Sequence, residues 1–348
     1  MIKILYYSNC EKMGLRTFSF LKDLDGFDQT ICACNSIKIG RLNNKCINVH
    51  SDNDLINVIK RNRPDVLVVV DKFEKIEKVK KLGSKIVFAA HGEVVMGKMM
   101  GPYWNQFDLV CLGRAQTKGL FNDGIKKIVT NALIQYDTLF NAMELNKKEQ
   151  GRRKAITIFG PKIKNSELRT PYAKLFYESI KILIEICKKY DWNLVIRPKH
   201  KNYDVMFGNI CPKNDFLRIK DLKDSRISVV EDDRNPYECF LSDVLISVSP
   251  RSTVEIESAL LNKPLIKICS KNILSKMFDA HNVYGTHSLG AAIFVEDINS
   301  DLENVAFQTM NFENIDLKNN QNKFVKYLGI TFDGKAHERM IGAIREIL

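Results

Sequence analysis

Apolar residues along this chain gather in short runs, separated by longer stretches where they recur at three- and four-residue intervals. The first half reads IKILYYS, a mixed segment from Gly14 to Leu24, QTICAC, DLINVIKRN and PDVLVVV, then KIEKVKKLG, a helical stretch closed by Gly83. KIVFAA, DLVCLG and KKIVTNALIQYDTLFNAM follow. Short β-rich runs alternating with helix-compatible segments predict a parallel sheet with crossover helices. The basic stretch ELNKKEQGRRK, residues 144–154, has no apolar period and predicts a linker.

Beyond it the alternation restarts. AITIFGP reads as a strand, YAKLFYESIKILIEICKKY as a helix, NLVIRP and RISVVED as strands and PYECFLS as a short helix. DVLISVS, the helix TVEIESALLN and the strand PLIKIC complete the series, and HERMIGAIREIL has the apolar spacing of a terminal helix. The expected fold class is α/β, with two Rossmann-like doubly wound domains. They span residues 1–150 and 151–330, and a helix within 331–348 packs back on the first.

Composition leaves this picture standing. Of 348 residues 45% are apolar and 27% charged, the balance of a folded globular chain. No apolar run approaches the roughly 20 residues that a membrane-spanning helix needs, and the N-terminus reads as a strand rather than a secretion signal. Nine cysteines are scattered, several inside apolar runs, which suits a reducing compartment. The one CxC, Cys32 and Cys34, has no second pair at zinc-site spacing, so no metal site is expected. A formal charge of +12 favours an anionic partner. The lysines are dispersed and no nucleic-acid-binding signature is present, so a phosphate-bearing substrate and an anionic lipid surface rank ahead of nucleic acid.

In open parallel sheets ligands bind beyond the carboxyl ends of the strands, which singles out the polar residues there. His91 and Gly92 follow KIVFAA; the histidine reads either as a general base or as a hydrogen-bonded turn residue. Arg197, Lys199 and His200 end NLVIRPKH, where they suit a phosphate or form a solvated basic loop. Ser249, Ser252 and Thr253, with Arg251 among them, crowd a strand-to-helix junction that can hold an anion, although Ser252 or Thr253 also reads as an N-cap. Either Glu255 or Glu257 could accept hydrogen bonds from ribose hydroxyls. Asp232, Asp233 and Asp243 read as caps or loop anchors.

Four islands, AAHGEVV, VTNALIQYDTLF, the stretch from NLVIRPKHK to NKPLI, and FDGKAHERMIGAI, resemble the CDP-glycerol glycerophosphotransferase family and, more loosely, other sugar transferases of the GT-B type. The resemblance implies two Rossmann-like domains facing a central cleft, with His91 as catalytic base, Gly92, Asp137 and Asp243 in support, and Glu257 on the nucleotide ribose. It implies that Arg197, Lys199, His200, Ser249, Arg251, Ser252 and Thr253 hold the donor phosphates. The activity would be transfer of a glycerophosphate, polyol-phosphate or sugar group from a nucleotide-activated donor to a hydroxyl of a surface-polysaccharide or lipid-linked acceptor. No cofactor and no obligatory metal is implied, and the place would be cytoplasmic, at the inner face of the membrane. Two departures fall where the diphosphate would be held. The family's His-Pro stands here as Lys199-His200, shifted by one, and its Asp-Tyr as Ser249-Pro250-Arg251. CDP-ribitol, CMP-sugar and UDP-sugar donors therefore stay open beside CDP-glycerol. A UDP-GlcNAc 2-epimerase-like enzyme and an inert nucleotide-binding module are the rival readings.

Overall fold

The computed structural model describes residues 1–8, 17–18, 21, 24–33, 45–70, 73–89, 106–112, 127–146, 153–161, 166–198, 224–230, 237–249, 252–269 and 286–348. The chain divides into two compact units, one of Met1–Leu145 with Tyr327–Leu348 and one of Asn146–Lys326.

In the first unit seven strands, β1 (Ile2–Ser8), β2 (Phe27–Ala33), β3 (Lys45–Asn48), β4 (Val66–Val69), β5 (Lys85–Ala89), β6 (Leu109–Cys111) and β7 (Ile128–Val129), form one parallel sheet in the order β3-β2-β1-β4-β5-β6-β7. The helices are α1 (Asp52–Asn62), α2 (Ile76–Lys81) and α3 (Gln135–Asn146). Ser51 opens α1 by accepting from the Asp54 N–H at 3.2 Å, and acids in its first turn and bases in its last suit the helix dipole. Parallel strands covered on both faces need apolar residues at every position. Hence the unbroken VLVV of β4, each residue 0% exposed.

The second unit repeats the plan. β8 (Ala155–Phe159), β9 (Asn193–Arg197), β10 (Ile227–Val229), β11 (Val244–Ser247), β12 (Leu265–Ile268) and β13 (Ile293–Val295) run parallel in the order β10-β9-β8-β11-β12-β13. Its helices are α4 (Ser166–Tyr190), α5 (Val254–Leu260), α6 (Leu302–Asn311) and α7 (Ile315–Leu328), and a 3-10 turn covers Glu238–Leu241. Both sheets reverse direction next to their first strand, between β1 and β4 and between β8 and β11. In doubly wound sheets this switch point opens the ligand crevice.

The last helix, α8 (Ala336–Arg345), packs into the first unit's core, where Met340, Ile341 and Ile344 join residues of β1, β4, β5 and β6. Asp137, in the first turn of α3, caps it. One carboxylate oxygen accepts from the Ala336 N–H at 3.0 Å and the other from the His337 N–H at 2.8 Å. The loop before α8 needs Gly334, at φ +69°, since a Cβ there would lie 2.7 Å from Phe140 Cδ1. Arg339 grips the same loop through both oxygens of Asp333, at 3.0 and 2.9 Å, and holds that carboxyl below its usual range. Under the helix, the buried Tyr6 hydroxyl lies between Gln29 and His337 Nε2.

Three aspartates fasten strand starts. Asp65, Asp108 and Asp243 each precede a strand, and each donates its own N–H to the neighbouring strand while its carboxylate accepts an N–H back. The pairs are Asp65 with Lys3, Asp108 with Ile86 and Asp243 with Ala155, at 2.8–2.9 Å throughout. The ladder's first N–H, which would otherwise lack a partner, is thereby satisfied.

Candidate functional site

The second unit's strands alternate, as they must, between two faces. Ile156, Ile158, Leu194, Ile196, Val244, Ile246, Val248, Ile266 and Ile268 share one apolar core with α4 and α6. The intervening positions on the central strands carry Thr157, Ser247 and Lys267, all 0% exposed. The Thr157 hydroxyl lies 2.7 Å from both the Cys239 carbonyl oxygen and Ser242 Oγ. Ser247 Oγ has no hydrogen-bond partner among the described residues. Along the carboxyl edge, Arg197 is in register with Phe159, Phe159 with Ser247, and Ser247 with Lys267. Arg197 and Ser247 thus end in one row, two strands or roughly 10 Å apart.

From β11 the chain turns into α5 at the switch point. Ser252 Oγ accepts from the Val254 N–H at 3.4 Å, and Glu255 Oε1 accepts from the Ser252 N–H at 3.3 Å, the return half of a capping box. Glu255 is further bound to Lys267 Nζ at 2.8 Å and to the Thr286 hydroxyl, and the ion pair is fully buried on both sides. Burial raises the Glu255 carboxyl above its ordinary value, outweighing the attraction of Lys267.

Two residues on, Glu257 is 7% exposed, and its carboxylate has neither hydrogen bond nor ion pair among the described residues. The two acids that the sequence leaves equivalent are therefore distinct. Glu255 is saturated by protein donors, and Glu257 has accepting capacity to offer a ligand.

Arg197 and Ser249 are both buried at the carboxyl edge of their strands, and Ser252 is buried at the start of α5, with Thr253 beside it. His91, Gly92, Lys199, His200 and Arg251 lie outside the described residues, as do Asp232 and Asp233. Asp243 is not brought to this group. Asp137 caps α8 in the first unit, and Asp243 clamps the amino end of β11, the edge opposite α5's start. Sequence reasoning did not find Lys267 and Thr286, which complete the Glu255 cluster. The signal available was a lysine inside an apolar strand, LIKI, a position that demands a buried counter-charge. Burial also pushes the thiols of Cys32, Cys111, Cys187 and Cys269 up to about 12, the condition of inert structural cysteines. Among the described residues no His, Cys, Asp and Glu group could hold a metal, and no helix is long and apolar enough to cross a membrane.

No protein-family model and no curated protein sequence matches the chain. Solved structures do. It is similar to MnaA of S. aureus, solved with UDP (TM-score 0.64, 14% identity, 99% of this chain and 96% of that one). It is similar to the wall teichoic acid polymerase TagF (0.63, 12%, 99% and 88%) and to the UDP-GlcNAc 2-epimerase of Neisseria meningitidis bound to UDP-GlcNAc (0.61, 14%, 99% and 100%). With both sheets in doubly wound order and near-complete coverage of these structures, the chain has the two-domain α/β fold of the GT-B type.

Proposed function

We propose that the chain is a transferase that moves a glycerophosphate, polyol-phosphate or sugar group from a nucleotide-activated donor to an acceptor hydroxyl, with a CDP-glycerol-like donor favoured. The observation that carries this reading is Glu257, an acid 7% exposed with no partner among the described residues, next to the switch point of the second sheet. Its oxygens have accepting capacity to spare, and a ribose, with two adjacent hydroxyl donors, is the group common to all nucleotide donors that would match it. Arg197, Lys199, His200 and Arg251 supply positive charge for the donor phosphates, and Ser249, Ser252 and Thr253 supply hydroxyls and N–H groups. Together they neutralise the leaving nucleotide without a metal. His91 takes the proton from the acceptor hydroxyl as the bond to the transferred group forms. Gly92 beside it admits a close approach of backbone to substrate. The acceptor is a surface-polysaccharide or lipid-linked hydroxyl, and the excess of basic residues favours reversible docking on an anionic membrane, each adding about 1 kcal/mol near the surface.

A thermal-shift panel of CDP, CMP, UDP, GDP and ADP tests the donor side, since a ligand at a hundred times its Kd adds about 2.7 kcal/mol to stability. A response to CDP or CMP that is absent in Glu257→Ala supports the reading, and no response to any nucleotide ends it. His91→Ala should lose turnover and keep the nucleotide response.

A second reading, a UDP-sugar enzyme, draws support from the two similar structures solved with UDP or UDP-GlcNAc. A preference for UDP favours it, and product analysis then separates a sugar transferase from an epimerase, which would invert C2 of UDP-GlcNAc with no acceptor present. Tight nucleotide binding with the donor returned unchanged would mark an inert module on this fold.

A further inference from the structure

A helix as short as the seven-residue α5 does not hold its own shape; tertiary ties fix it. Those ties meet at Glu255. Its Oε1 accepts from Lys267 Nζ and the Ser252 N–H, and its Oε2 from the Thr286 hydroxyl, so three separate stretches of chain, the turn before α5, strand β12 and the turn at 286–290, are fastened to one side chain. The turn that opens α1 needs no such hub. Asp54 accepts from the Ser51 hydroxyl at 2.9 Å in an exposed setting, with no buried lysine attached. Stability accounts poorly for the difference. Desolvating two ions costs several kcal/mol each, and an apolar pair of similar volume often stabilises a fold equally well or better. What sets α5 apart from α1 is the acid two residues further on, which has no partner among the described residues.

We infer that Glu255, held by Lys267 and Thr286, is a positioning residue of the nucleotide site: it fixes the start of α5 so that Ser252 and the Glu257 carboxylate stand ready for the ligand. The inference rests on the reading of Glu257 as the acceptor for a nucleotide.

The test is calorimetric titration of UDP and of CDP into the full chain. Variants are Glu255→Leu/Lys267→Met, which replaces the ion pair by apolar residues of similar size, and Glu255→Gln/Lys267→Met, which restores one acceptor for Ser252. The first should bind nucleotide at least about tenfold more weakly than the parent while its melting temperature holds or rises, and the second should recover part of the affinity. Affinity falling while stability does not is something a merely structural pair would not give. Parent-like affinity in Glu255→Leu/Lys267→Met overturns the inference and leaves the proposed site intact. If the parent binds neither nucleotide, the proposed site itself falls and takes the inference with it. Should the double variants not fold, Thr286→Val decides, because a loss of about threefold supports the positioning role and unchanged affinity rejects it.

Discussion

Asp137 and Glu257 occupy equivalent places, each a buried acid in the first turn of a helix, one in each unit. Their surroundings are opposite. Both oxygens of Asp137 accept backbone N–H groups of α8, so the acid is saturated and holds the first unit together. Glu257 has no partner among the described residues, and its accepting capacity is unspent there. The contrast teaches that burial of a carboxylate says little by itself. Whether the fold answers it separates a brace from a group with capacity left for a ligand.

The strongest way to sharpen the comparison is Asp137→Ala. It would orphan two buried N–H groups and uncap α8, a loss of about 3 kcal/mol in chemical denaturation, with nucleotide response per folded molecule unchanged. Glu257→Ala should do the reverse, weakening nucleotide binding by about tenfold or more while the unliganded protein keeps or gains about 1 kcal/mol. If it destabilised the free protein as Asp137→Ala does, Glu257 would be a brace and the comparison would break. Asp243→Ala removes the acceptor for the Ala155 N–H at the far edge of the second sheet and should cost about 1–2 kcal/mol, leaving nucleotide affinity untouched.

The smallest effect concerns acid. Hydrogen bonds from Arg226 hold the Asp224 carboxyl down to about 2, below the roughly 3.9 of an unfolded chain. Its contribution is therefore complete above about pH 4 and lost as pH falls through 2. NMR titration of Asp224 should show the depressed midpoint, and Arg226→Gln should return it toward the ordinary value.

The parallel sheets were legible because their central strands are apolar at most positions and begin after a polar residue, as in PDVLVVV and SDVLISVS. Four elements escaped the reading, the first being β3, a four-residue edge strand. β13 is a three-residue edge strand with little burial to mark it. α6 and α7 mix Asn and Gln into their apolar stripes, as in LENVAFQTMN and IDLKNNQNKFVKYL, which blurs the helical period. At the site, the sequence displayed two glutamates two residues apart, but which one the protein answers depends on Lys267 and Thr286, 12 and 31 residues away from Glu255. Spacing along a chain carries no record of such a meeting. Asp137 and Asp243 stand in stretches that resemble a family's motifs, and in the fold one is a helix cap and one a strand clamp. A motif can record how a fold is closed as readily as how it reacts.

That closure has a temporal side. On a ribosome the first unit's sheet emerges early, but Met340, Ile341 and Ile344, which cover its apolar face, are translated only after the whole second unit. The nascent sheet waits with that face uncovered, a surface on which chaperones act and aggregates start. The unit begun first is finished last, and a stop codon near residue 330 would spare every strand yet leave the opening domain without its lid.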